Sequence, residues 1–159
     1  MDLLERLLGH DRWTTERLLA LSEGLSEAQL DREFDIRHST LRTTFDHMIL
    51  NVAFWTGLMV GKPIAYEPEH ASVDDLRTRH ARSYEQFANV ARDFVASGRL
   101  DETFVDHYSV RQSFGATVLH VVLHNAQHRS EALHILQRLG LGDLPEGDPQ
   151  EWEYMMARS

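Results

Sequence analysis

Apolar residues recur at three-to-four spacing in four long blocks of this chain, and polar or turn-forming stretches separate them. The first block carries Leu3, Leu4, Leu7, Leu8, Leu18, Leu19 and Leu21 and runs to Gly24, with Asp2 and Glu5 spaced as an N-cap pair. Ser26 with Gln29 repeats the capping pattern and opens a short helical turn to about Glu33. Residues 34–39, which include His38, read as connecting loop. Ser39 or Thr40 then caps a second long helix that Gly61-Lys62-Pro63 stops. That helix is apolar around most of its circumference (Leu41, Phe45, Met48, Ile49, Leu50, Val52, Phe54, Trp55, Leu58), the pattern of a helix buried on most sides. Residues 64–71 are a polar loop. Ser72-Val73-Asp74-Asp75 matches a helix start, and Val73, Leu76, His80, Phe87, Val90, Ala91, Phe94 and Val95 follow until Gly98. Arg99 to Gln112 has β-like character centred on residues 104–110, which predicts a short strand or hairpin crossing back over the helices. The last long helix spans about Ser113 or Phe114 to Leu139, ended by Gly140 and Gly142. The tail from Leu144 holds two prolines and the run Glu151-Trp152-Glu153-Tyr154, a segment expected to pack over the bundle or across a partner.

Four long helices joined by connections of moderate length predict an all-α protein. The architecture is a four-helix bundle with a short β-like or irregular crossover before the last helix, and residues 1–159 form one domain. A chain of 159 residues buries roughly 68–70% of its unfolded surface, enough for a sizeable core. The net charge of −9, without any basic run, repels phosphate backbones and anionic lipid, so no nucleic-acid or membrane partner is expected. There is no cysteine, which excludes disulfides, thiolate ligands and a cysteine nucleophile, and fits a cytoplasmic protein. The N-terminus lacks the uninterrupted apolar core of a secretion signal.

Candidate chemistry concentrates in histidine. His124 and His128 are four residues apart on the last helix, hence on one face about one turn apart, and two imidazoles there can close on one ion at about 2.1 Å each. Two ligands make a weak site, and His47 inside the apolar second helix is the best third. His120 with His124 is an equivalent pair, while His120 and His128 stand about 12 Å apart along the axis, so spacing alone leaves the choice open. His10 reads as an ordinary surface or boundary histidine. A zincin needs Glu where Asn125 stands, and amides take up no proton at neutral pH, so that chemistry is rejected. A ferritin-like di-iron site needs two Glu-x-x-His motifs, and only Glu131-Ala132-Leu133-His134 is present.

His47 eight residues before Trp55 with Gly61 beyond, His124-x-x-x-His128-Arg129, Arg12-Trp13 with Arg17-Leu18-Leu19, and Ser39-Thr40-Leu41-Arg42 together resemble the DinB/YfiT family of metal-binding four-helix bundles. The resemblance covers nearly the whole chain. It implies that His47, His124 and His128 bind a divalent ion, zinc or nickel, and it selects against His120. Ser130-Glu131 stand where family members often carry Gly-Gln, which alters the surroundings of the site. The resemblance further implies a homodimer and a divalent-metal-dependent enzyme acting on a small-molecule substrate. The activity would be that of a thiol-dependent S-transferase or isomerase, or a hydrolase, using either an exogenous low-molecular-weight thiol or a water held by the ion. The alternative is a non-catalytic metal-binding or stress-associated homodimer. Asn51, four residues after His47, and Glu131, three after His128, share faces with the ligands, and at least one of them is expected to line the site as an orienting partner or as base for a bound water. Metal affinity is expected to fall on acidification through about pH 6, near the free imidazole pKa of ~6.5.

Overall fold

A computed structural model describes residues 1–158. The elements in chain order are α1 (Leu3–Leu21), α2 (Glu27–Leu30), α3 (Leu41–Met59), α4 (Val73–Ala96), β1 (Thr103–Val105), β2 (Arg111–Ser113), α5 (Phe114–Arg138) and α6 (Pro149–Met156). The capping residues act as their types dictate. Asp2 accepts from the Glu5 N–H, and full capping boxes form at Ser26/Gln29, Thr40/Thr43 and Ser72/Asp75. Of the two candidates for the start of α3, Thr40 is the cap, and Ser39 before it takes a left-handed backbone with φ 62.

The long helices α1 and α3 each pack against both α4 and α5. The chain therefore crosses an end of the bundle twice, through residues 22–40 and through residues 97–113. The second crossing is the β-like stretch, an antiparallel hairpin with Phe104 opposite Gln112. As its apolar circumference predicts, α3 is buried along most of its length, with Leu41, Phe45, Met48, Ile49 and Val52 at 2% exposure or less. Two apolar clusters fill the bundle, one around Leu18, Phe45, Leu76 and Ile135, the other around Leu8, Val52, Phe87 and Val121. The tail folds back on its own bundle. Trp152 of α6 is buried over Gly9, where any Cβ would collide with the indole ring. None of the helices among the described residues is long and apolar enough to cross a membrane.

Two charged side chains of α3 fasten the flanking loops. The buried Arg42 guanidinium donates to Asp31 at 2.7 Å, to Glu27 and to the Ala71 carbonyl. The buried Asp46 accepts from Arg79 at 2.7 Å and from the Glu69 N–H at 3.2 Å. Both the loop ahead of α3 and the loop behind it are thereby held at the same end of the bundle. Bidentate and charge-assisted bonds of this kind carry more geometric information than neutral ones.

Candidate metal centre

α3 and α5 pack directly, and this contact brings His47 to the His124/His128 pair. His124 Nε2 lies 3.1 Å from His47 Nε2 and 3.2 Å from His128 Nε2. Two nitrogens bound tetrahedrally to one ion at ~2.1 Å each stand ~3.4 Å apart, so the observed separations suit a shared cation. His128 is fully buried, while His47 and His124 are half-buried. Among the described residues His120 meets one of these rings, that of His124, with centroids 5.4 Å apart. It is exposed and lies against Trp55, ring centroids 5.1 Å apart.

Each outer ring nitrogen has its own partner. His128 Nδ1 is 2.6 Å from Glu131 Oε2, a bond in which the imidazole N–H donates to the carboxylate and leaves Nε2 with a bare lone pair. His47 Nδ1 meets the Tyr66 hydroxyl, from the loop behind α3. His124 Nδ1 is 3.2 Å from Asn51 Nδ2. The Asn51 amide therefore governs the tautomer of His124. With Nδ2 facing it, Nδ1 accepts and Nε2 carries the proton; with Oδ1 turned there, Nδ1 donates and Nε2 is free to ligate. Asn51 and Glu131 both border the site, but Asn51 reaches across to α5 rather than to His47 on its own helix.

Electrostatics keep His47 and His124 neutral. Burial, with the neighbouring imidazoles and Arg37 adding to it, pushes the pKa of His47 and of His124 down to about 3. Burial raises Tyr66 to about 12, so its phenol stays protonated. Neutral imidazole is the ligating form.

A fourth histidine joins the cluster. His38, in the stretch that the sequence marks only as loop, stacks on His47 with centroids 4.0 Å apart and meets His128 edge-on at 4.9 Å. Ligating atoms of His38, His47 and His128 all lie within 4.8 Å of one another. His38 Nε2 is buried without a hydrogen-bond partner among the described residues, a condition a cation would relieve. The clustered ligating atoms are imidazole nitrogens, a donor type that suits zinc, nickel, copper or iron. The residues fit a divalent ion. Beside them opens a cleft of about 640 Å³, lined by Arg37, His38, Thr43, His47, Tyr66 and Pro68 among others. Neither His38 nor Tyr66 carries a signal in the sequence, since each sits in a loop without periodicity.

The last helix is held in register by a buried ion pair, Arg129 of α5 with Asp11 of α1, and Asn125 Nδ2 donates to the same carboxylate at 3.0 Å. The residue after the second histidine of the pair thus anchors α5, and with it both imidazoles, against α1.

No curated protein matches the chain. A protein-family model described as the DinB superfamily matches residues 10–132, a span that contains all four clustered histidines, Tyr66, Asn51, Glu131 and the Asp11–Arg129 pair. With a helical bundle, a histidine cluster at the α3–α5 contact and a family match over most of its length, the chain belongs to the DinB superfamily.

Proposed function

We propose that this protein is a divalent-metal-dependent enzyme whose ion is held by His47, His124 and His128 and whose substrate is a small molecule. One observation carries the reading: the outer nitrogens of the three rings are engaged by Tyr66, Asn51 and Glu131, while the three Nε2 atoms converge. Partnering of outer nitrogens is what orients imidazoles toward a cation. A bound divalent ion supplies Lewis-acid activation, lowering the pKa of a thiol or a water toward neutrality. Zinc and nickel are the proposed ions.

The residues of the chain bind, orient and shield. Glu131 holds the His128 N–H, Asn51 sets the tautomer of His124, and Tyr66 closes the outer side of His47. The cleft gives a small molecule access, and Arg37 on its lining favours an anionic group such as a thiolate. Because the chain has no cysteine, a thiol has to arrive as an exogenous low-molecular-weight compound. The reactions this supports are thiol-dependent S-transfer or isomerisation, with hydrolysis as the water-using variant. A cytoplasmic homodimer belongs to the same proposal. Leu119 and Leu123, one turn apart on α5, are 54% and 66% exposed and offer an apolar face to a second copy.

The test is metal analysis of protein purified without an affinity tag, followed by reconstitution and turnover assays with a panel of thiols. One divalent ion per chain, lost in His47→Ala, His124→Ala and His128→Ala but kept in His120→Ala, is the expected result. Metal loss in His120→Ala with retention in His128→Ala would move the site one turn along α5. Stoichiometric metal without turnover of any thiol or hydrolytic substrate would favour the non-catalytic, stress-associated dimer.

A further inference from the structure

His38 lies outside the three-histidine set, yet the chain is built to hold it there. Its loop is pinned at several points: the Phe34 N–H donates to the Ser39 carbonyl at 2.7 Å, and the Ser39 N–H donates to Ile36 at 2.9 Å. The His38 carbonyl accepts from the Thr40 N–H at 2.7 Å and from the Thr43 hydroxyl, the same threonine that completes the α3 capping box. The turn needs Ser39 in the left-handed region, φ 62, an arrangement that a residue with a Cβ adopts at a cost and that concentrates at functional positions. Arg42, through Asp31 and Glu27, fastens the preceding α2 segment to α3. The outcome is an imidazole stacked on His47 whose Nε2 is buried and has no hydrogen-bond partner among the described residues. An imidazole placed in this way, between the histidine cluster and the cleft, has an unused lone pair or an unused N–H at that buried nitrogen.

We infer that His38 is a fourth, exchangeable ligand, which occupies from the cleft side the coordination position that His47, His124 and His128 leave open and which an incoming anionic ligand displaces. This rests on the metal reading above and deepens it, since it states how the site is closed at rest. Exchange follows from position. His47, His124 and His128 stand on long packed helices, whereas His38 stands on a loop, half-buried, at the wall of the cleft through which a ligand arrives. Outer partners hold the three helix-borne rings, while the buried nitrogen of His38 has only an ion to answer it.

The test uses the whole protein stripped of metal, with zinc affinity measured by chelator competition and azide binding followed by the visible absorption of the cobalt(II) form. His38→Ala removes the ring, and His38→Phe keeps a ring on His47 without a nitrogen. Both variants are expected to bind zinc about 10-fold or more weakly, and their cobalt forms to take azide at about 10-fold lower concentration than the wild type. Wild-type zinc affinity in His38→Phe would assign His38 to stacking alone and overturn the inference. So would unchanged zinc and azide affinities in both variants, or a loss of zinc affinity with no gain for azide. A wild-type chain that binds neither zinc nor cobalt would overturn the metal reading, and this inference with it.

Discussion

Glu131 Oε2 lies 2.6 Å from His128 Nδ1, three residues away on the same helix, and His128 itself is fully buried. The bond commits the His128 proton to Nδ1 and turns the Nε2 lone pair toward His124 and His47. Removing it frees the ring to take the other tautomer. Glu131→Ala is therefore expected to weaken zinc binding about 10–100-fold, with Glu131→Gln, which keeps an acceptor oxygen, losing less. Chelator competition on the two variants checks this, and equal affinity of Glu131→Ala and wild type would reduce Glu131 to a surface carboxylate.

Asn51→Ala leaves His124 Nδ1 without its partner, and a loss of about 10-fold in zinc affinity is expected. Asn51→Asp, which can only accept when ionised, fixes the proton of His124 on Nδ1 and is expected to bind zinc at least as tightly as wild type. Weaker binding by Asn51→Asp than by Asn51→Ala would contradict the role of the amide as tautomer setter.

The half-buried His47 and His124 move the acid limit of the site. From free imidazole, affinity would fall through about pH 6. In the folded protein burial depresses His47 and His124 to about 3, so at these two ligands protons compete with the ion only at much lower pH. Zinc affinity is expected to stay level from pH 7 to about 5 and to fall below that. A midpoint of zinc loss near pH 6, in protein still folded by circular dichroism, would rule this out.

His80 of α4 is 2% exposed, and neither ring nitrogen has a hydrogen-bond partner within the described residues. Burial pushes its pKa down to about 4, below the unfolded value of ~6.5, so between these the unfolded chain binds more protons. Its contribution to stability is complete above about pH 6.5 and is lost as the pH falls toward 4. His80→Phe keeps a ring beside Tyr84 and removes both unpaired nitrogens. It is expected to raise stability by about 1 kcal/mol at pH 7 and to flatten the decline between pH 6.5 and 4. Urea melts at several pH values measure both effects, and destabilisation at pH 7 would show that the nitrogens are in fact satisfied.

The Arg129–Asp11 pair is buried on both sides, with side-chain exposures of 4% and 0%. Asp11→Ala strands the guanidinium and also leaves the Asn125 amide N–H without its acceptor, so about 3–5 kcal/mol of stability should be lost. Because the pair sets the register of α5 on α1, zinc affinity should fall in the same variant. Denaturant titration of metal-free Asp11→Ala showing a loss below 1 kcal/mol would mean that water replaces the carboxylate.

Helical periodicity sufficed for the four long helices, because a period near 3.6 in Leu, Phe and Val is a local property that burial then satisfies, and the Ser26/Gln29 capping pattern marked the short α2. Capping residues marked the starts to within a residue: Asp2, Ser26, Thr40, Ser72 and Ser113 all accept from the backbone as their types imply. Spacing within one helix likewise placed His124 with His128 and Glu131 beside His128. The arrangement between helices lay beyond it. Asn51, on the face of His47, engages His124 instead, since the α3–α5 packing decides which side chain meets which ring. His38 and Tyr66 gave no sign, because a loop has no repeat from which direction can be read. Their places follow from Arg42 and Asp46, which tie both loops to α3 through partners 11 to 33 residues away. The tail was recognisable as aromatic and able to pack, but only Gly9, lacking a side chain where the Trp152 ring lies, settles that it covers its own bundle. Periodicity records what each segment buries, whereas contacts between segments distant in the chain exist only once the bundle has closed.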